Sequence, residues 1–475
     1  MGGRVAAMQL EIQEVARIVG SKAVPRPALC RGYTSDSRHT RASDLFFAIP
    51  GPRFDGHDFV PSAIENGAVG AVVSNGRVGS YPQSLRPVLL DVPDTVRALQ
   101  QLGQAVRRKW AHPLVGVTGS AGKTTAKEMI AALLGLRLRV AKSRGNLNNE
   151  LGLPLSLVAL EADQEVAVME LAMSHAGEIR FLAGLAEPNI GVVTNVAPVH
   201  LEFFESLDAI AQAKRELVEK LNPEGVLVLN ADDERVREFG TGYPGKVVTF
   251  GLEADADYRA SNLQSKTGAS VDFDLMAEGK VMGMTLPMPG AHNVSNVLAA
   301  IAVARQFEIP LEEIPAALNN LGPLSQRSEI QNLAGGITLI NDCYNSNPRA
   351  LEGMLHVLGT WPSEGRRILV AGEMLELGPG APEWHRKLGE MAARLGRVDW
   401  LLAVRGEAQN FIEGARQGGL PGAHALFFET AEQAAELLPS LVKTGDTVLI
   451  KGSRGVHLEK VVERMLVQAS GSATG

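Results

Sequence analysis

The sequence predicts an α/β protein of three domains, and three observations carry that reading. Its 475 residues correspond to about three domains at ~150 residues each. Short Val/Ile/Leu runs that end in polar residues alternate with helix-like stretches through most of the chain. Continuous runs of this kind suit strands covered on both faces in a parallel sheet. One such run opens into a glycine-rich loop and then a helical pattern, the strand–loop–helix arrangement of a P-loop.

Taken in order, residues 1–108 alternate DLFFAIPG, AVGAVVSN and RPVLLDVPD with helical stretches such as 95–108, predicting a small N-terminal α/β domain. The basic cluster at 107–109 and Pro113 mark its end. Residues 109–322 carry PLVGVTG, EVAVMELA, NIGVVTNV, GVLVLNADD and KVVTFG, the strands expected of a central P-loop domain with a parallel sheet. Ligands of such sheets collect at the carboxyl ends of the strands. A linker is expected at Gly322-Pro323-Leu324. Residues 323–475 repeat the theme with GITLINDCY, RRILVAGEM, VDWLLAVRG and DTVLIKGSRG, a Rossmann-like C-terminal α/β domain with a frayed QASGSATG tail. No internal repeat or low-complexity tract interrupts this plan.

Composition excludes several classes. Lys and Arg number 46 against 53 Asp and Glu, a net charge of −7, without the basic excess typical of nucleic-acid binders. Two cysteines, Cys30 and Cys343, are too few for a disulfide framework and suit a reducing cytoplasm. No apolar run reaches the ~20 residues of a membrane span. The N-terminal stretch mixes charges into its apolar positions and lacks a signal-peptide core. Met8 is as good an initiator as Met1, which would leave residues 1–7 a loose extension. The expectation is a soluble cytoplasmic enzyme with no nucleic-acid partner and no membrane insertion.

The chemistry concentrates in VGVTGSAGKTT (115–125). Thr118, Gly119, Ser120, Ala121, Gly122, Lys123, Thr124 and Thr125 form a loop whose backbone N–H groups turn onto phosphate oxygens at a helix N-terminus. Lys123 is placed to meet the β/γ-phosphates and the Thr124 hydroxyl to ligate Mg²⁺. The strict motif has a further glycine where this chain has Val117, with Gly116 and Gly119 flanking it. In the following helix Met129, Ile130, Leu133 and Leu134 fall on one face. Glu170 ends the strand VAVMEL, so its carboxylate belongs at the sheet edge beside the P-loop, a position for holding Mg²⁺. His200 lies in the loop after NIGVVTNV. In SLDAIAQAKRELVEKL (206–221), Lys214 shares the apolar face with Ile210, Leu217 and Leu221, a costly place for an unpartnered charge. A snorkelling amine explains it, as does a modified or paired lysine directed into the site. His292-Asn293 reads as a helix start, with Asn a good N-cap.

These residues together resemble the ATP-dependent Mur ligases of bacterial peptidoglycan synthesis. The likeness runs through TSDSR (34–38), DLFFAIPGPRFDGHDF (44–59), GVTGSAGKTT (116–125), NLNNELGLP (146–154), ELAMSHAGEI (170–179) and NVAPVHLE (195–202). It continues through Lys214, GAHNVSNVLAA (290–300), NDCYNSNPRALEGML (341–355), AGEMLELG (371–378) and KGSRGVHLE (451–459). Within the family, NLNNELGLP and DCYNSNP resemble the branch that joins D-alanyl-D-alanine to UDP-N-acetylmuramoyl-tripeptide. A DNPR-type motif of the branch adding the third residue, diaminopimelate or lysine, is missing. Two positions depart from the family pattern: Glu373 stands where aspartate is usual, and Gln326 where a glycine commonly precedes the arginine.

The resemblance implies roles. Thr124 and Glu170 would hold one Mg²⁺, with His200 and a carbamylated Lys214 near a second; Lys123, Glu170, His200 and Lys214 would be the catalytic group. His292, Asn293 and Asn296 would contact ATP, with Arg327 and Asp342 reaching it from the third domain. Ser35, Asp36 and Ser37 resemble uridine-nucleotide contacts, and Asn148 and Asn149 contacts to the muramoyl peptide. Tyr344, Asn345 and Asn347, with Lys451, Ser453 and Arg454, would surround the dipeptide. The family implies a monomer acting in cell-wall synthesis, and through it in cell shape and division. Rival readings are the third-residue-adding ligase, a folylpolyglutamate synthase, and a P-loop switch that hydrolyses nucleotide without an acceptor. TSDSR and FDGHDF count against the folate enzyme. Lys214, His200 and a complete third domain count against the switch.

Overall fold

The computed structural model describes residues 8–23, 25–266, 268–322 and 324–471. Pro323 of the expected linker, residues 1–7 and the last residues of the tail lie outside these. The described residues form one two-stranded ribbon and three larger sheets, one for each expected domain.

The N-terminal sheet is parallel, with Gly32–Thr34, Asp44–Phe47, Gly70–Ser74 and Leu89–Val92 side by side in chain order. Helix Thr95–Trp110 then leads into the central domain. It starts where Asp94 accepts the N–H groups of Val96 and Arg97 (2.8 and 3.1 Å), and ends at Ala111 in the left-handed conformation. The basic residues 107–109 are its last turn, where cations suit the helix dipole. A boundary drawn between 108 and 109 therefore falls inside a helix. Arg107 also ties the two domains, donating to the carbonyl oxygens of Ala186 (2.7 Å) and Glu187 (3.1 Å).

In the central sheet all five expected strands are parallel neighbours: Lys246–Gly251, Val226–Asn230, Ile190–Val193, Leu114–Thr118 and Val166–Glu170. Apart from exposed Lys246 and Val247 at the start of the outermost of them, their side chains are largely buried on both faces, which is why they read as unbroken apolar runs. The short strand Val140–Lys142 closes one edge, and an antiparallel meander of Tyr258–Lys266, Ser270–Ala277 and Lys280–Leu286 extends the other. Helix Lys123–Leu134 is buried nearly all round, beyond the single face its sequence suggests, because helix Ala291–Gln306 packs along it. The latter begins after Gly290 (φ 91°), so Asn293 lies within its first turn and donates to the Pro289 carbonyl (2.8 Å) instead of capping it.

The C-terminal sheet runs Glu329–Leu333, Ile337–Asn341, Thr447–Lys451, Arg367–Gly372, Trp400–Val404 and Ala425–Phe428. Only its first strand is antiparallel to its neighbour. The carboxyl ends of this sheet and of the central one line a shared cleft of about 1160 Å³.

Candidate active site

The P-loop begins where Leu114–Thr118 ends. Gly119 and Gly122 adopt φ of 146° and 80°, and both lack room for a side chain. A Cβ on Gly119 would lie 1.9 Å from Thr194 Oγ1, and one on Gly122 2.3 Å from Asn296 Oδ1. Asn195 grips the loop from the next strand: its Oδ1 accepts the Ala121 N–H (2.9 Å) and its Nδ2 donates to the Ala121 carbonyl (3.0 Å). Ser120 is tied to Ala197 through its hydroxyl. Only glycine satisfies both demands, and Val117, buried inside the strand, lies before the turn.

Thr124, at the helix start, donates through Oγ1 to Glu170 Oε2 (2.7 Å), while Arg327 from the C-terminal domain donates to the same hydroxyl (3.0 Å). Glu170 is buried, and its other oxygen accepts from Asn148 Nδ2 (2.8 Å). Lys123 Nζ donates to the Gly119 carbonyl (2.8 Å). Burial lowers the Lys123 pKa and Arg327 adds to that, against the attraction of Glu170.

The C-terminal domain faces this cluster with DCYNSNP. Lys451 pairs with Asp342 and donates to the Asn345 carbonyl (2.9 Å). Arg327 lies over the Tyr344 ring at 4.2 Å, and Arg454 donates to the Tyr344 hydroxyl (3.1 Å). Asn347 caps helix Pro348–Thr360 by accepting the Ala350 N–H (2.9 Å). Gln326 has φ 59°, which gives the family's usual glycine here its physical reason. Glu373 turns from the cleft, accepting the Glu407 N–H (3.1 Å) and lying 3.6 Å from Arg405.

Three comparisons bear on this geometry. Family models match residues 30–109 (Mur ligase family, catalytic domain), 117–304 (Mur ligase middle domain) and 326–454 (Mur ligase, glutamate ligase domain). The UDP-N-acetylmuramoyl-tripeptide–D-alanyl-D-alanine ligase of Bacillus subtilis (strain 168) is 32% identical over 459 residues, covering 96% of this chain and 98% of the relative. The chain belongs to the Mur ligase family. The ligase of the same description from Synechocystis is 34% identical over 91% of each chain. Among solved structures, MurF from Acinetobacter baumannii matches with a TM-score of 0.86 and 29% identity, covering 98% of this chain and 100% of that one. MurF ligase from Thermotoga maritima in complex with ADP matches at 0.81 and 29%, covering 93% and 99%.

In this Mur ligase the cleft collects most of the expected residues. Ser120 through Thr125, Asn148, Asn149, Glu170, His200, His292, Asn293, Asn296, Arg327, Asp342, Tyr344, Asn345, Asn347, Lys451, Ser453 and Arg454 all line it. Burial pulls the His292 pKa down to about 4, so the ring is neutral at pH 7. Thr118 and Gly119 lie behind the loop and do not line the cleft. Ser35, Asp36 and Ser37 are outside it as well, in the N-terminal domain, where Asp36 holds the Arg38 guanidinium at 2.9 and 2.7 Å. That pairing keeps the Asp36 carboxyl far below the usual carboxylate range.

Lys214 is 2% exposed, among Ile210, Leu217 and their neighbours, and does not line the cleft. Its pKa lies well below the ordinary value, first through burial and then through repulsion from Lys123. His200, at φ 56°, pairs through Nδ1 with Glu376 of the C-terminal domain. This contact holds the Glu376 carboxyl below its usual range. Among the described residues no three His, Cys, Asp or Glu side chains come together as a metal cluster. Sequence reasoning passed over Asn195, Ser143, Arg349, Asp233 and Glu376. Asn195, Arg349 and Glu376 fall in segments that already contain singled-out residues (His200, Asn347 and Glu373), whereas Ser143 and Asp233 carry no such signal.

Proposed function

We propose that the cleft joins the free carboxylate of UDP-N-acetylmuramoyl-tripeptide to D-alanyl-D-alanine at the cost of ATP, yielding UDP-N-acetylmuramoyl-pentapeptide, ADP and phosphate. The full-length relatives carry that activity in their names. The observation that carries the reading here is the convergence of P-loop and C-terminal domain on one atom, with Arg327 donating to Thr124 Oγ1 beside Glu170.

A carboxylate does not form an amide at neutral pH, because oxide is a poor leaving group. Transfer of the γ-phosphoryl group to the carboxylate oxygen gives an acyl phosphate and ADP. The dipeptide amine, once deprotonated, attacks the acyl carbon, and phosphate leaves from the tetrahedral adduct. The protein's share is positioning and charge neutralisation. The P-loop backbone and Lys123 hold the phosphates. Arg327 neutralises charge from the opposite wall. Asn293 and Asn296 offer amides suited to an adenine edge, and His292, neutral, is free to pack or accept. The Tyr344, Lys451 and Arg454 wall offers cationic and hydrogen-bonding groups to a dipeptide carboxylate. The Ser35–Asp36–Ser37 turn of the N-terminal domain would, on this reading, anchor the uridine nucleotide at the far end of the substrate. On this reading the enzyme acts as a monomer.

Thr124 and Glu170 fit Mg²⁺. They offer one hydroxyl and one carboxylate 2.7 Å apart, hard oxygen donors few enough to leave room for water and phosphate oxygens. The ion would supply charge neutralisation on the phosphates. The second set is not assembled as it stands, with Lys214 off the cleft and His200 paired with Glu376, and would need Lys214 carbamylated. As an ammonium it would repel a cation, whereas its depressed pKa favours the neutral amine that adds CO₂.

The deciding experiment follows phosphate release with ATP, Mg²⁺ and UDP-N-acetylmuramoyl-tripeptide, with and without D-alanyl-D-alanine. Release that depends on the dipeptide, with a pentapeptide product by mass, is the expected result. Release driven instead by UDP-N-acetylmuramoyl-dipeptide with diaminopimelate or lysine would move the protein to the neighbouring branch. Turnover indifferent to any acceptor would restore the switch.

A further inference from the structure

Lys127 lies one helical turn after the P-loop lysine, on the same helix, and is 0% exposed. A buried ammonium is costly unless its donors are satisfied, and this one reaches across to a neighbouring segment to satisfy them. Its Nζ donates to the Ser143 carbonyl (2.7 Å) and the Gly145 carbonyl (3.5 Å), and lies 3.1 Å from Glu128 Oε1. Glu128 in turn pairs with Lys142. The lysine therefore fastens the chain just where strand Val140–Lys142 ends and an irregular, largely exposed stretch begins.

What that stretch does is visible at its two ends. Ser143 is fully buried, and its hydroxyl accepts the Glu170 N–H at 3.2 Å. Asn148 donates to Glu170 Oε1 at 2.8 Å, and its carbonyl accepts the Ala172 N–H at 3.0 Å. Backbone and side chain of Glu170 are thus both held by residues 143–148. Between these ends the chain has no ladder of its own and turns at Gly145 (φ 53°). Of the bonds at the base of the stretch, the Ser143 N–H donates to the Val168 carbonyl (3.1 Å), and the Lys127 anchor adds the two carbonyl bonds that fix Ser143 and Gly145 from the helix side.

We propose that Lys127 is a positioning residue for the ligation. It acts through Ser143 and Asn148 to fix the Glu170 carboxylate against Thr124, and it sets the stretch that carries Asn148 and Asn149 into the cleft. The inference rests on the reading of Glu170 as the Mg²⁺ ligand. It predicts that the metal and the muramoyl peptide feel the loss of Lys127, while the dipeptide, bound on the opposite wall, does not.

The test compares K127M, which keeps the apolar stem, with S143A, which leaves the lysine in place. Mn²⁺ binding to the enzyme–ADP complex is read from the free-Mn²⁺ paramagnetic resonance signal, and KM is measured for each substrate. K127M should weaken Mn²⁺ binding by roughly tenfold, within the range seen when a metal ligand loses its supporting partner. It should raise KM for UDP-N-acetylmuramoyl-tripeptide several-fold and leave that for D-alanyl-D-alanine unchanged. S143A should weaken Mn²⁺ binding by a smaller factor, and the double variant should be no worse than K127M, because both act on one chain of contacts. A folded K127M with wild-type Mn²⁺ affinity overturns the proposal, including one that loses turnover uniformly. Should K127M not fold, wild-type Mn²⁺ affinity in S143A overturns it alone. A wild-type enzyme without dipeptide-dependent phosphate release would instead defeat the functional reading, which the Mn²⁺ comparison does not depend on.

Discussion

At the scale of single residues, the site is built from groups whose environments oppose their ordinary chemistry. Lys214 is the sharpest case. An ammonium at 2% exposure with no hydrogen bond or ion pair among the described residues is unfavourable, and the nearby Lys123 makes it more so. Neutralisation answers the desolvation, and carbamylation turns the neutral amine into an anion. Lys214→Ala is expected to lower turnover by at least ~100-fold, the scale of losing a group that acts in the transition state. Acetate or formate, small enough to enter the vacated space, should restore part of it. Loss without rescue at any carboxylate concentration would leave the lysine a packing residue. The apolar-face position of Lys214 was legible from helical spacing alone, since Ile210 and Leu217 flank it at i−4 and i+3. His200 and Glu376 show what was not. Each has a positive φ, and their pairing joins loops 176 residues apart, for which no periodicity exists.

Among elements, the continuous strands and the helices over 95–110 and 207–220 were readable, because burial on both faces and an apolar face at helical spacing leave their marks in the sequence. The meander from 258 to 286 was passed over, although Ser270–Ala277 alternates strictly and buries Val271, Phe273, Leu275 and Ala277, because unbroken apolar runs mark only strands covered on both faces. The closing strand Val140–Lys142 is too short for any pattern. Helix Ala381–Arg394 carries a further consequence. His385, fully buried in it, accepts the Met374 N–H on Nε2 (2.9 Å), so its proton is on Nδ1, directed at the Ala381 carbonyl (2.7 Å). That tautomer is neutral, and burial lowers its pKa below the ordinary 6.5. The unfolded chain therefore binds a proton that the folded one does not. Stability is fully present above about 6.5 and falls as pH drops below it. His292 is shifted in the same direction. A melting temperature lower by a few degrees at pH 5.5 than at pH 7.5 is expected. His385→Gln should melt lower at pH 7.5 and show a shallower pH dependence. An unchanged slope would assign the effect to other groups.

For the whole molecule, the decisive feature is that the reaction chamber has two owners. Among the described residues, three polar side-chain contacts join the central and C-terminal domains around it: Arg327 to Thr124 (3.0 Å), Arg349 to Asp233 (3.5 Å) and Glu376 to His200. At the last of these the backbone also meets, with the Glu202 N–H donating to the Glu376 carbonyl (3.2 Å) and Gly378 packed where a Cβ would lie 2.9 Å from the Leu201 carbonyl. An acyl phosphate is at risk from any water that enters before the amine, so the fit of the two domains governs the coupling of ATP use to product. Glu376 touches the chamber's rim and belongs to neither the P-loop nor the DCYNSNP wall. Its replacement by alanine should loosen closure without removing a phosphate-binding group. The expected signature is more phosphate released than pentapeptide formed, where the wild type gives one for one, together with a larger radius of gyration by solution scattering in the presence of ADP. A variant that stays coupled and compact would show that Arg327 and Arg349 suffice to close the chamber. It would confine the Glu376–His200 pair to orienting the imidazole.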